Sequence, residues 1–409
     1  MTRRGHSSRG VSRQMSTYTL EPMPSTHVGE GSVAELAQHV RAHGSRAFVV
    51  SDPGVRAAGI VNTVIDALTT DGLEWTVFDD VDPNPTDANV AAGVESLRGF
   101  GTEDVVMVLV GGGSVMDCGK YIAMAAPSGI EDSSLAFSPE LDDADRIDFA
   151  TLAPPARASA PCVPTIAVPT TSGTASETNG GGLITRTEDH RKLTFSHPDV
   201  RPRAVVLDPL LTVGLPSGAT AVCGMDVLTH AIEAYTSTAS NPYADGLALQ
   251  AIRLTGQWLP QAVAVGSDVQ ARASMQIASH LAGRAFSSGP LLGLVHATGH
   301  PVSGTFGAAH GQTLATMLPH IMRFNLESVS DRYADVGQAL GVARDPLAAV
   351  EAVETLSATV GTDRSLSDLG AKTQDIDGLT TDALRDLIIL NTPRYPSREE
   401  VHALYEQAM

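Results

Sequence analysis

Short runs of consecutive apolar residues punctuate the first half of the chain and are missing from the second. RAFVV at 46–50, LEWTVF at 73–78, VVMVLV at 105–110, TIAV at 165–168 and RAVVL at 203–207 read as strands. They lack the in/out alternation of a half-solvated strand, which predicts a parallel sheet covered on both faces. Helical patterns lie between them, such as SVAELAQHVRAHG at 32–44, for which Gly44 is the expected C-cap. This alternation of strand and helix predicts an open α/β domain. The stretch 128–161, rich in Asp, Ala, Ser and Pro, is expected to be a loop with short helices at most.

After DPLLTVGLP at 208–216 the pattern changes to helical periodicity. ATAVCGMDVLTHAIEAYTS, ADGLALQAIRLTGQWLPQAV, VQARASMQIASHLAGRAF, TDALRDLIIL and SREEVHALYEQAM all read as helices. The expected organisation is a disordered tail at 1–17, an α/β domain at 18–209 and an all-α domain at 210–409. No repeat with a period of 20–50 residues is visible.

Composition narrows the function classes. A length of 409 residues is ample for two domains with sizeable cores. The formal net charge of −19 leaves no basic stripe to neutralise phosphates, so nucleic acid is not an expected partner. No apolar run approaches the roughly 18 residues of a membrane span. Cys118, Cys162 and Cys223 have no CxxC spacing, and an odd number cannot all pair within one chain. A reducing, cytoplasmic setting is the expectation. The opening MTRRGHSSRGVSRQM has the composition of a transit peptide but almost no apolar face for an amphipathic helix. With only Lys120, Lys192 and Lys372 among 27 basic residues, the bias to Arg points instead to a bacterial tail, with an upstream start before Met15.

VVMVLVGGGSVMDCGK runs from a strand into Gly111-Gly112-Gly113-Ser114 and then a helix. Such a junction offers unpaired N–H groups at the positive end of a helix dipole, and glycines let a pyrophosphate come close. The spacing is not GxGxxG, so a tight turn without a ligand is the other reading. Asp52 follows the first strand of the pattern, where an acid can accept hydrogen bonds from a ribose and repel a 2′-phosphate. It can equally cap the next helix. VPTTSGTASETN at 168–179 is a third polar segment after a strand. It could embrace a cofactor or be a plain Ser/Thr loop.

Asp226 and His230 lie one helical turn apart, so both project from one face. His296 and His300 repeat that spacing, and His310 follows a Gly-rich turn. A carboxylate with two or three imidazoles suits Fe(II) or Zn(II) rather than Ca(II) or Mg(II). Cys223, one turn before Asp226, reads as core packing.

Taken together, DPNPTDANV (82–90), GGGSVMDCGK (111–120), PTTSGTASET (169–178), VVLDPLLTVGLP (205–216), GMDVLTHAIEAY (224–235), GLVHATGHPVSGTFGAAHG (293–311) and LPHIMRFN (318–325) resemble the iron-containing alcohol dehydrogenases. The likeness spans residues 20–409. It implies the architecture shared with dehydroquinate synthases: an N-terminal dinucleotide-binding domain and a C-terminal helical domain holding one metal. The family pattern Asp-x3-His then His-x13-His is matched by Asp226, His230, His296 and His310. His300 is implied to sit beside substrate as a catalytic proton carrier and not as a ligand. Gly112, Gly113, Ser114, Thr171, Thr174 and Lys192 are implied cofactor contacts, and Asp52 implies NAD(H) over NADP(H).

Three departures stand out. Ala175 replaces the commoner Gly in GTGSE, Gly119 replaces the usual Ala before Lys120, and SSGPLLG at 287–293 lacks the frequent Asn. The implied reaction is hydride transfer between a small alcohol or aldehyde and NAD(H), with Fe2+ or Zn2+ polarising the substrate oxygen. The expected assembly is a homodimer or larger homo-oligomer. Related alternatives are a hydroxyacid–oxoacid transhydrogenase and a reductase of maleylacetate or another functionalised aldehyde. A dehydroquinate-synthase-like cyclase would need several cleft cations, and only Arg284 lies near the metal-binding segments. A metallohydrolase would leave the glycine turn and the PTT segment unexplained.

Overall fold

The computed structural model describes residues 17–20, 22–136, 140–142, 144–148, 158–188 and 191–409. The expected tail therefore lies outside the described residues up to position 16, as does part of the 128–161 excursion. Strands in chain order are β1 (Ser25–Val28), β2 (Arg46–Val50), β3 (Glu74–Phe78), β4 (Val105–Gly111), β5 (Glu140–Leu141), β6 (Ile147–Asp148), β7 (Thr165–Pro169), β8 (Gly181–Thr185), β9 (Lys192–Ser196) and β10 (Ala204–Leu207). Six form one sheet in the order β1-β10-β7-β4-β2-β3, and every pairing in it is parallel.

All five strands read from the sequence are in this sheet. Residues of β4, β7 and β10 are buried throughout, which is why their sequences do not alternate. Successive side chains feed different cores. Phe48, Val50, Met107 and Leu109 enter one, and Ala47, Val49, Val106 and Val108 the other. The sixth strand, β1, is short, polar and partly exposed at the sheet edge, so it carries no hydrophobic signal. The antiparallel ribbons β5–β6 and β8–β9 were not expected either; the first places strand inside the segment read as loop and helix.

The helices covering the sheet are α1 (Leu36–Arg41), α2 (Pro53–Ala57), α3 (Ile60–Thr70), α4 (Asp87–Phe100) and α5 (Gly113–Ser128). Gly44 is not the C-cap of the 32–44 pattern, which is a 3-10 turn at Ser32–Glu35 followed by α1 and closed by Ala42. Its role is close approach, because a Cβ there would lie 2.9 Å from the Asp104 carbonyl oxygen.

The second half contains α6 (Ser217–Thr236), α7 (Pro242–Ala264), α8 (Val269–Ser287), α9 (Leu294–Phe306), α10 (His310–Asn325), α11 (Ser330–Ala339), α12 (Pro346–Val360), α13 (Ile376–Arg385) and α14 (Arg398–Ala408). Small residues let α6, α7 and α8 approach closely. A Cβ on Gly224 would sit 2.1 Å from Leu259 Cδ1. TDALRDLIIL is not one helix. It breaks after Arg385, and Asp386 caps the 3-10 turn Leu387–Asn391. No helix among the described residues is long and apolar enough to cross a membrane.

The two halves meet along α8. Ser279 Oγ donates to the Gly173 carbonyl at 3.2 Å, and buried His280 bridges Glu177 (3.2 Å) and Thr26 (3.1 Å). Thus α8 ties the loop after β7 to the edge strand β1.

Candidate active site

The sheet order reverses between β2 and β4, so their carboxyl ends open a crevice where α/β folds bind ligands. Asp52 follows β2 and Gly112–Gly113–Ser114 follow β4, and both predicted cofactor segments therefore flank it. Gly112 is the N-cap of α5 and supplies no side chain to the helix end. Asp52 does cap α2: its Oδ1 accepts from Val55 N at 2.9 Å. Capping and ligand binding are not exclusive, because a carboxylate has further acceptor sites.

Thr171 and Thr174 pack directly on the glycine turn. A Cβ on Gly112 would lie 3.3 Å from Thr171 Oγ1, and one on Gly113 would lie 2.6 Å from Thr174 Cγ2. Ser114 Oγ donates to the Pro83 carbonyl. Lys192 Nζ donates to Asn84 Oδ1 at 2.9 Å, and burial pulls its pKa down. The Lys192 charge also contributes to lowering the His310 pKa.

Asp117 and Lys120, within the glycine-turn motif, hold this loop from beneath. Fully buried Lys120 donates to Ser176 Oγ (2.5 Å), the Ser176 carbonyl (3.0 Å), Asn179 Oδ1 (3.3 Å) and the Gly181 carbonyl. Asp117 accepts from Ser176 Oγ at 2.5 Å and from Leu183 N at 2.9 Å. Of the two departures at small residues, the packing around Gly119 explains one, and the backbone at Ala175 runs against the other. A Cβ on Gly119 would lie 2.3 Å from Leu109 Cδ2, so this core has no room for the usual Ala. Ala175 stands at φ 53°, a left-handed conformation that favours glycine.

The same loop reaches the helical half. A Cβ on Gly173 would lie 3.0 Å from Cys223 Cβ, one turn before Asp226 on α6. Burial and the Asp226 charge push the Cys223 thiol up to about 12, consistent with core packing rather than ligation.

Asp226 Oδ1 is the point on which the histidines converge. It lies 3.4 Å from His230 Nε2, 3.8 Å from His296 Nε2 and 3.9 Å from His310 Nε2. One donor atom each from Asp226, His296 and His310 lies within 4.8 Å of the other two. His230 reaches Asp226 but stands outside that triad. Asp226 Oδ1 and His296 Nε2 are buried without a hydrogen-bond partner. Buried polar atoms normally find partners, so the vacancy of these lone pairs fits a cation. Ligand atoms about 2.1 Å from a tetrahedral ion stand roughly 3.4 Å apart, close to these spacings.

A carboxylate behind His296 sets its tautomer. Glu233 Oε2 lies 2.5 Å from His296 Nδ1, and Glu233 Oε1 accepts from Val295 N at 2.6 Å. With Nδ1–H donating to Glu233, the Nε2 lone pair faces the centre. Burial opposes a charge on His296, but Glu233 and Asp226 outweigh it and raise its pKa to about 9, so an ion taken up at Nε2 would displace a proton there. Burial dominates at His230 and lowers its pKa to about 4, and it holds His310 well below the ordinary value. Asp226 is held low despite burial, by the imidazoles around it.

His300 sits beside the triad with its ring stacked on His310 at 5.2 Å, and its Nδ1 is bound to Asp386 Oδ2 at 2.5 Å. Sequence reasoning did not single out Glu233 or Asp386. Glu233 carried a signal, since it follows Asp226 and His230 at helical spacing on α6. Asp386 carried none, because it lies in a segment read as continuous helix.

Residues 24–209 match the family described as iron-containing alcohol dehydrogenase, and residues 220–409 match its C-terminal part. The chain is 37% identical over 374 residues to a 1,3-propanediol dehydrogenase of Citrobacter freundii, covering 89% of this chain and 92% of that one. It is 30% identical over 394 residues to an NAD-dependent methanol dehydrogenase of Bacillus methanolicus, covering 94% and 98%. A crystal structure of a 1,3-propanediol oxidoreductase superposes with a TM-score of 0.86 at 35% identity, over 97% of this chain and 100% of that one. The chain belongs to the iron-containing alcohol dehydrogenase family. It is an oxidoreductase of the alcohol dehydrogenase type, in a family that uses NAD(H) and a divalent metal.

Proposed function

We propose that this protein interconverts a small primary alcohol and its aldehyde with NAD(H). In this reading Asp226, His230, His296 and His310 hold one Fe2+ or Zn2+, and residues 18–209 and 210–409 act as cofactor and metal domains. The observation that carries it is the convergence of three imidazole nitrogens on the unpartnered Asp226 Oδ1, on a helix that the Gly173–Thr174 loop joins to the glycine turn. The ion would supply a Lewis acid for the substrate oxygen.

The chain's own residues do the rest. Gly112, Gly113 and Ser114 receive the pyrophosphate at the α5 N-terminus, with Thr171 and Thr174 packed against them. Asp52 accepts from the ribose hydroxyls and disfavours a 2′-phosphate. Lys192, anchored on Asn84, contacts the cofactor. His300, held by Asp386, passes the alcohol proton toward solvent. The absence of Asp, Glu, Lys and Arg from α9 supports a small uncharged substrate. The names of the diol and methanol dehydrogenase relatives point to the same class. The unpaired cysteines support a reducing, cytoplasmic setting.

The test is NADH formation from a panel of primary alcohols, and NADH consumption with the matching aldehydes, with Fe2+ or Zn2+ restored to chelator-treated protein. NADP(H) is run in parallel. Turnover of short alcohols with NAD is expected. Metal-loaded protein that turns over none of them would overturn the reading.

A further inference from the structure

A second group of metal-ligating side chains lies on the N-terminal domain and shares no residue with the centre around Asp226. His27, Glu35 and His39 each bring one ligand atom to within 4.8 Å of the other two. They come from three local structures. His27 is on edge strand β1, Glu35 ends the 3-10 turn before α1, and His39 is one helical turn further on α1. Neighbouring strand residues point to opposite faces. Thr26 is tied to His280 of the helical half, so His27 faces the other way, toward α1.

Two further observations mark this group as more than a chance cluster. His39 Nε2 is buried and has no hydrogen-bond partner. The rings of His27 and His39 lie 3.8 Å apart between centroids, tilted by 34°. Two like imidazoles in contact gain little by electrostatics. Glu35 is exposed, so ions and a completing water have access.

We infer that His27, Glu35 and His39 form a surface Zn2+ site that clips edge strand β1 to helix α1. Two imidazoles and one carboxylate select a borderline transition ion over Ca2+ or Mg2+, and Zn2+ accepts three protein ligands with water in the fourth position.

The experiment uses full-length protein whose catalytic centre is already loaded. Zn2+ is added, free metal is removed, and bound metal is counted per chain for wild type, His39→Gln and Glu35→Gln. Wild type is expected to retain about one further equivalent and to show a higher Tm with Zn2+. Both variants should bind that equivalent more than about tenfold more weakly and keep their turnover. Glu35 is exposed, so its variant tests the site even if His39→Gln folds poorly. Asp226→Asn should lose the catalytic ion and keep the second one. Equal Zn2+ uptake by wild type and both variants, or no uptake beyond the catalytic equivalent, means a stacked imidazole pair only and overturns the inference.

Discussion

Asp386 Oδ2 lies 2.5 Å from Nδ1 of His300, across 86 positions of sequence. The carboxylate caps the 3-10 turn that interrupts the helical pattern after α13, so the break in that helix creates the partner. With Nδ1 donating to Asp386, the opposite nitrogen of His300 is the one free to exchange a proton. Asp386→Asn keeps the size but weakens control of the tautomer. Turnover is expected to fall about tenfold or more with metal content unchanged. Unchanged kcat in this variant would remove Asp386 from the mechanism.

His300→Ala should lower turnover by roughly 10²–10⁴-fold and leave bound metal intact. Activity and metal content must be measured on the same preparation. Loss of the metal together with activity would make His300 a ligand instead.

Glu233 orients His296 from behind, through a 2.5 Å contact to Nδ1. Glu233→Gln replaces a charged acceptor by a neutral one. Metal affinity, read by competition with a chromophoric chelator, is expected to drop about 10–100-fold. An unaltered affinity would show that the carboxylate does not tune His296.

Gly113→Ala places a methyl group 2.6 Å from Thr174 Cγ2, between the glycine turn and the PTT loop. Overpacking of this kind costs about 1–3 kcal/mol. The expected signature is a raised KM for NAD with normal metal content. Asp52→Ala is the companion variant, and its NAD-to-NADP preference should narrow. A constant ratio would leave Asp52 as a helix cap alone.

Ala175 holds a left-handed backbone at φ 53°, and a Cβ on Gly283 of α8 would meet its methyl at 2.5 Å. Gly283 thus provides the space that the extra methyl of Ala175 needs. Ala175→Gly relieves the backbone strain and is expected to stabilise the fold by about 1 kcal/mol. Denaturant unfolding measures this directly, and a loss of stability would show that the methyl's packing outweighs the strain.

Much of the architecture was legible because its signals are local. The buried strands of the parallel sheet need uninterrupted apolar residues, and β2, β4, β7 and β10 show them. Edge strand β1 has an open side and needs no such run, so STHV gave no warning. The pairs Asp226/His230 and His296/His300 were equally legible, since i,i+4 spacing places side chains on one helical face. Spacing alone could not separate His296 from His300.

What the sequence determined by itself is the inventory: an α/β half, a helical half, a glycine turn, and an aspartate and histidines spaced for a metal site. Only the tertiary structure decided their partners. Glu233 stands behind His296, Asp386 behind His300, and Gly283 makes room for Ala175. Each of these pairs joins residues on different elements, and helical or strand periodicity reaches no further than its own element. Packing is what brings separate elements within the 2.5–3 Å that a hydrogen bond requires.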